Sequence, residues 1–377
     1  MVRIEEVKTK KQMKKFVEFP LKLYENCPYY VPQFYGDEYR LFFPEKNVHS
    51  EYSKSRFFLA YKGDEIVGRI AGIVVYPYIQ KTGRKVMRFS RFDLIDDEEV
   101  ARALFKAVED FAREEGLDEI QGPMGYNDTD REGLLVEGFD KMSTYAENYS
   151  YDYYPRLVEQ NGFVKEVDWL EYKIFLPDKP VEKLKKMSEL VAKRFKLRDV
   201  TKSSLSMSQI IDRYGHKVFD LVNIAYEPLH GTIPLKGRVV DEIIGVFKLF
   251  LTKDFVSVIV DENDNVVAFA VVLASITEEL KRCKGKLTPL SIYRLLKLKR
   301  HPKAVEFALI AIIPEYQNKG LTAMMMDKIL NGLIAKNIKY AETNLELEDN
   351  SKVLTLWEGV EKEFLKRRRC YVKKIEP

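Results

Sequence analysis

Apolar and polar positions along the chain alternate between two rhythms: short runs that suit strands, and stretches with apolar residues every three to four positions that suit helices. Residues 57–61 and 65–76 flank the turn Lys62-Gly63-Asp64 and predict a β-hairpin. A strand over 85–93 follows, then a helix over 97–115 with Val100, Leu104, Ala107, Val108 and Phe111 on one face and Gly116 at its end. A strand near 119–121, a helix closing at Gly162 and a strand over 169–175 complete the first half. Residues 255–260 and 266–275 then predict a second hairpin, followed by a strand over 305–313, a helix over 318–336, a strand over 340–346, a helix opening at Asn350 and a terminal strand. The order hairpin, strand, helix, strand, helix, strand thus occurs twice. Pro177 and Pro180 end the first copy, a Lys-rich linker helix over 181–193 follows, and a strand over 195–200 restarts the pattern. The expectation is an α/β chain with mixed sheets and two units, 1–180 and 181–377.

Length agrees, since 377 residues exceed what one core usually serves, and 46% hydrophobic content excludes disorder. The net charge of +4 is too small to mark a nucleic-acid binder by bulk charge. Cys27, Cys283 and Cys370 are odd in number and widely spaced, and His49, His216, His230 and His301 are scattered, so neither a disulfide framework nor a metal site is expected. The charged N-terminus does not read as a signal peptide, and the apolar run 266–276 is about half of the roughly 20 residues that span a bilayer. A cytoplasmic protein without a transmembrane segment is the expectation.

The most informative segment is Ile312-Ile313-Pro314-Glu315-Tyr316-Gln317-Asn318-Lys319-Gly320-Leu321-Thr322, where a strand enters a helix through a short Gly-containing loop. Free N–H groups at a helix start suit a pyrophosphate, yet the loop lacks both GxxxxGK[ST] and GxGxxG. Here the chain resembles the GNAT superfamily of acyl-CoA-dependent N-acyltransferases. Gln317 to Thr322 match its [Q/R]xxGx[G/A] signature except for Thr322 at the last small position. The resemblance implies tandem GNAT folds with acetyl-CoA or a longer acyl-CoA as co-substrate. It also implies that Ile312 and Ile313 offer amides to the pantetheine arm, that the amides of Gln317, Asn318, Lys319, Gly320, Leu321 and Thr322 hold the pyrophosphate, and that Asn350 completes the cofactor contacts. An amide near Ile313 would stabilise the oxyanion.

Glu306 is the single acid of an apolar strand, so burial should raise its pKa toward that of a general base. It precedes Gln317 by eleven residues, which resembles the base glutamate of the histone-acetylating branch. The position where many relatives carry an acid tyrosine, seven residues after Asn350, holds Trp357, whose indole is no useful acid. Tyr371 on the terminal strand is the substitute candidate.

The first half resembles the same fold at Tyr153 to Phe163, but where the loop should be it carries Asp96, Asp97, Glu98 and Glu99, which would repel a pyrophosphate. It is read as a degenerate copy that shapes the acceptor side. The Gly-rich stretches 121–127 and 133–140 resemble those of uncharacterised bacterial tandem GNAT-like proteins. Between Lys281 and Ala304 stand nine Lys/Arg and no acid, interleaved with Leu290, Ile292, Tyr293, Leu295, Leu296 and Leu298, and Lys366 to Arg369 add more charge. This stretch is either a helix packed by its leucines on the sheet or a contact for an anionic surface. His230 lies in the loop before the second hairpin, where acceptors often bind in this superfamily. The expected activity is direct acyl transfer, with acetyl as the first expectation, from CoA to a small-molecule or peptide amine. A catalytically weak CoA-binding scaffold and an aminoacyl-tRNA-dependent transferase are the alternatives.

Overall fold

The computed structural model describes every residue except Ser351, Lys352, Leu354 and Pro377. The first half runs β1 (Val2–Glu6), α1 (Lys10–Leu23), α2 (Tyr35–Arg40), β2 (Ser53–Lys62), β3 (Glu65–Val75), α3 (Tyr76–Thr82), β4 (Val86–Leu94), α4 (Glu98–Glu114), β5 (Glu119–Gly122), β6 (Leu134–Glu137), α5 (Tyr154–Gln160) and β7 (Val164–Phe175). The second runs α6 (Glu182–Phe195), β8 (Arg198–Asp199), α7 (Met207–Ala225), α8 (Arg238–Phe250), β9 (Val256–Val260), β10 (Val266–Ala274), α9 (Thr277–Cys283), α10 (Pro289–Arg300), β11 (Val305–Ile312), α11 (Leu321–Ala335), β12 (Tyr340–Glu342), β13 (Glu346–Leu347) and β14 (Lys362–Lys374).

The two halves repeat one topology. Strands β1 to β4 pair antiparallel in sequence and β4 then pairs parallel with β5; β8 to β11 do the same and β11 pairs parallel with β12. Each fourth strand carries a bulge, near Arg91 in β4 and at Ala308 in β11. Each parallel pairing is brief: three residue pairs from Val86↔Glu119 to Arg88↔Gln121, and two at Val305↔Ala341 and Glu306↔Glu342. Past these points the strands diverge, and in each half the fourth strand turns backbone groups that no neighbouring strand pairs toward a cleft.

The last strands are exchanged. β14 lies between β5 and β7, and β7 lies between β14 and β12, so the final strand of each half completes the sheet of the other. One continuous sheet results. At its centre Lys366 and Arg368 of β14 are fully buried against Glu147 and Glu171, with Lys366 Nζ 2.9 Å from Glu171 Oε2 and Arg368 Nη2 3.0 Å from Glu147 Oε2. Burial alone would raise the Glu147 carboxyl, yet Lys366 and Arg368 hold it well below the usual carboxylate range. Arg367 and Arg369 turn to Asp168. The Lys366 to Arg369 run is therefore neutralised inside the sheet and adds no surface patch.

Helix α4 covers one face of the first half, burying Val100, Ala101, Leu104, Phe105, Val108, Phe111 and Ala112. In the second half α7 and α8 cover one face of the sheet and α6 and α11 the other. The strand expected over 195–200 is reduced to Arg198–Asp199, because the Asp199 carboxylate accepts the N–H and hydroxyl of Thr201 and turns the chain into a short helical turn. The strand expected over 340–346 divides into β12 and β13, with Thr343 bonding Tyr172 through its N–H and its hydroxyl between them. The helix expected to open at Asn350 falls in part on residues outside the described set.

Candidate active site

The site forms where β11 leaves β12. Register decides which backbone groups face the cleft. The Ile313 N–H donates to Val267 O at 2.9 Å, so Ala268 and Ile312 are a non-hydrogen-bonded pair and Ile312 presents its N–H and C=O to the open side. This corrects the expectation for Ile313, whose amide is spent within the sheet. Gln317 Nε2 donates to the Ile312 carbonyl at 3.2 Å. Two residues back, Ile310 also faces the cleft, where the hydroxyl of Tyr226, just after α7, donates to Ile310 O at 3.1 Å and accepts from Ile310 N at 3.4 Å. Burial pushes the Tyr226 phenol up. No motif marked Tyr226; its only sequence signal is its place in the loop that also holds His230.

Beyond β11, a tight turn leads to Asn318 at φ 59° and Gly320 at φ 83°, and α11 begins at Leu321. The N–H groups of Tyr316, Gln317 and Lys319 bond within the turn, to Ile313, Pro314 and Tyr316 carbonyls. Those of Asn318, Gly320, Leu321 and Thr322 have no intramolecular acceptor among the described residues. The pyrophosphate expectation thus narrows from six amides to these four. A β-carbon at Gly320 would meet Val191 Cγ2 of α6 at 3.0 Å, so the linker helix presses directly on the loop. Lys319 Nζ lies 5.2 Å from the Tyr316 ring centre and 5.6 Å from that of Phe195.

Glu306 stands at the point of divergence, opposite Leu273 and Glu342. Its Oε1 is buried without a hydrogen-bond partner. Burial pushes its carboxyl up to about 7; the Ser275 hydroxyl opposes the shift and Glu147 and Glu342 reinforce it. Trp357 packs on Phe307 of β11 with ring centres 4.9 Å apart and donates its indole N–H to Glu346 Oε1 at 2.6 Å, which makes it a wall of the cleft. Asn350 sits in the turn after β13, its N–H on Leu347 O.

Tyr371 is elsewhere. Strand exchange carries it beside Gly122 of β5, where its hydroxyl donates to Glu159 Oε1 at 3.0 Å within the first half's core, so it is no acid for this cleft. His230 turns toward the first half, 3.1 Å from Gln121 Nε2 and 3.7 Å from Glu166 Oε2. Its loop is pinned from the same side: the fully buried Arg88 of β4 donates to Gly231 O at 2.6 Å, and Lys81 Nζ to Thr232 Oγ1 at 3.1 Å. Thr232 Oγ1 in turn bonds Tyr226 O at 2.9 Å. The first half thereby holds the loop that inserts Tyr226 into the second half's cleft.

Doubled halves, bulged fourth strands and diverging parallel pairs define the tandem GNAT fold. The chain shares it, along its entire length and 99% of the other chain, with a tandem GNAT protein from the clavulanic acid biosynthesis pathway, at a TM-score of 0.57 and 10% identity. Among curated proteins it is 26% identical to Protein YghO of Escherichia coli (97% of this chain, 94% of the relative). It is 25% identical to the bacterial ceramide synthase of Caulobacter vibrioides (98% of this chain, 96% of the relative). No family model matches the chain.

Proposed function

We propose that the protein is an acyl-CoA-dependent N-acyltransferase whose acceptor is a long-chain amino alcohol, so that the product is a lipid amide. The observation that carries the transferase reading is the row of four unpaired N–H groups at the start of α11, set in line with the cleft-facing backbone of Ile310 and Ile312. The acceptor class is supported by the full-length similarity to a bacterial ceramide synthase. The halves 1–180 and 181–377 divide the labour: the second holds acyl-CoA and the first positions the acceptor loop.

The N–H groups of Asn318, Gly320, Leu321 and Thr322 hold the pyrophosphate, aided by Lys319, and Asn350 closes the cofactor side. The pantetheine arm runs along Ile312 and brings the thioester carbonyl to the Ile310 N–H, taking the place of the Tyr226 hydroxyl as acceptor. Glu306, through water, removes a proton from the attacking amine. The new C–N bond forms as the C–S bond breaks, and Tyr226 protonates the departing thiolate. Release of free thiol, followed with a thiol reagent, and the amide product, identified by mass spectrometry, test the reaction with acyl-CoAs of graded length and a detergent-dispersed long-chain amino alcohol. Ligand at about 100 times its Kd should stabilise the native state by roughly 2.7 kcal/mol. No thermal stabilisation by any acyl-CoA and no thiol release overturn the reading.

A further inference from the structure

The insertion between β10 and β11 presents an amphipathic face of the wrong sense for a soluble helix. A small core of Val31, Phe34, Leu280 and Leu295 fastens α9 and α10 to the rest of the molecule, and Tyr35 N–H bonds Gly285 O at 2.9 Å. Of α10, only Ser291 and Leu295 are buried. Leu290 (55% exposed), Ile292 (41%), Tyr293 (64%) and Leu296 (39%) point outward, joined by Leu287 (54%) of the preceding turn. At 100° per residue Leu290, Tyr293 and Leu296 share an arc with Lys297 and Arg300 on the side away from Leu295, and Ile292 lies at its edge. The packed-leucine expectation is therefore reversed for most of the helix.

Charge completes the surface. Residues 281–304 hold nine Lys/Arg and no acid. Arg282 and Arg294 neutralise the buried Glu279, whereas Lys297, Arg300 and Lys303 have no carboxylate within ion-pair distance among the described residues. Lys299 Nζ bonds Leu249 O at 2.8 Å, which joins α10 to the end of α8, where Val246 and Leu249 are also exposed. We infer that the outer face of α10, continued onto the end of α8, docks on an anionic lipid bilayer. Exposed leucine, isoleucine and tyrosine flanked by cations match an acyl-chain boundary under acidic headgroups; a nucleic-acid surface has no place to bury the aliphatic side chains.

The placement has a consequence for the cleft. Ser275 N–H bonds Ala304 O at 2.9 Å at the base of the insertion, and the Ser275 hydroxyl interacts with the Glu306 carboxyl. Docking through α10 thus brings the bilayer to the end of the sheet where Glu306 stands. The docking itself requires no acyl transfer and is read without acyl-CoA, so its failure and that of the transferase reading are separate results.

The test is co-sedimentation of the full chain with vesicles of phosphatidylcholine alone and with phosphatidylglycerol as part of the lipid. Binding is expected to the mixed vesicles and to weaken with salt. Lys297→Gln and Arg300→Gln should each lower affinity about fivefold. The triple change Leu290→Ser, Tyr293→Ser and Leu296→Ser should abolish binding while leaving thiol release with a detergent-dispersed acceptor unchanged. No binding to the mixed vesicles at low salt overturns the inference. Binding that survives the triple change, or that duplex nucleic acid displaces as well from the triple variant as from the wild type, overturns it too.

Discussion

The two entrances from fourth strand to helix have the same topology and opposite chemistry. In the first half the Asp97 carboxylate accepts the Val100 N–H at 3.1 Å, and the hydroxyls of Tyr154 and Tyr153 take the N–H and C=O of Leu94 at 2.9 and 2.7 Å. In the second half Gly320 stands at the helix cap, and four N–H groups stay unpaired. One helix start carries a capping carboxylate and two acids in its first turn, which disfavour an anion; the other has neither a side-chain cap nor an acid there. A capping carboxylate in one half and a glycine in the other separate an end closed by its own side chain from an open one. The copies also divide the remaining work, since Arg88 of the closed half fixes the loop that carries Tyr226 into the open one.

Closing the open end should have the largest effect. Gly320→Asp places a carboxylate among the four N–H groups at a positive φ and against Val191; acyl-CoA stabilisation should vanish and turnover fall about 100-fold or more. Retained stabilisation by acyl-CoA in a thermal-shift assay would show that the phosphates bind elsewhere. Glu306→Gln should lower turnover on the order of 100-fold and remove the rise in rate as pH climbs through about 7. It has a second readout. A carboxyl whose folded pKa lies above its unfolded value loses stability as pH rises between the two, so Glu306→Gln should gain Tm at pH 8 and not at pH 4. Tyr226→Phe should lower turnover about tenfold with little change in acyl-CoA affinity, and an unaltered rate would remove it as acid. The smallest effect belongs to the closed end: Asp97→Ala should cost about 1 kcal/mol in urea unfolding and leave acyl-CoA binding as it was.

Local pattern carried much of this. Both hairpins, α4 with its five apolar positions, the fourth strands and the Gly320 turn are set by neighbours in sequence, and each stands within a few residues of its expected place. What was not legible depends on contacts distant in the chain. Nothing in the periodicity of β14 tells it to pair with β5, so the sequence does not reveal that Tyr371 lies in the first half's core. Tyr226 carries no motif because its role comes from register, which turns Ile310 toward it. Leucines at helical spacing in α10 read alike whether they face a core or the outside, since the small core under the helix is supplied by Val31 and Phe34.

The exchange of terminal strands gives the chain an order of events during synthesis. Residues 362–374 leave the ribosome long after β5, their partner in the sheet. At 5–20 residues per second the first half waits on the order of ten seconds or more with that strand edge uncovered, an interval in which unpaired edges invite wrong partners. Glu147 and Glu171 meanwhile lack the cations that neutralise them, and an apolar strand that arrived first would have to bury both carboxylates unpaired, which is costly. Only β14 brings both Lys366 and Arg368, so the buried quartet acts as a key that admits the correct strand.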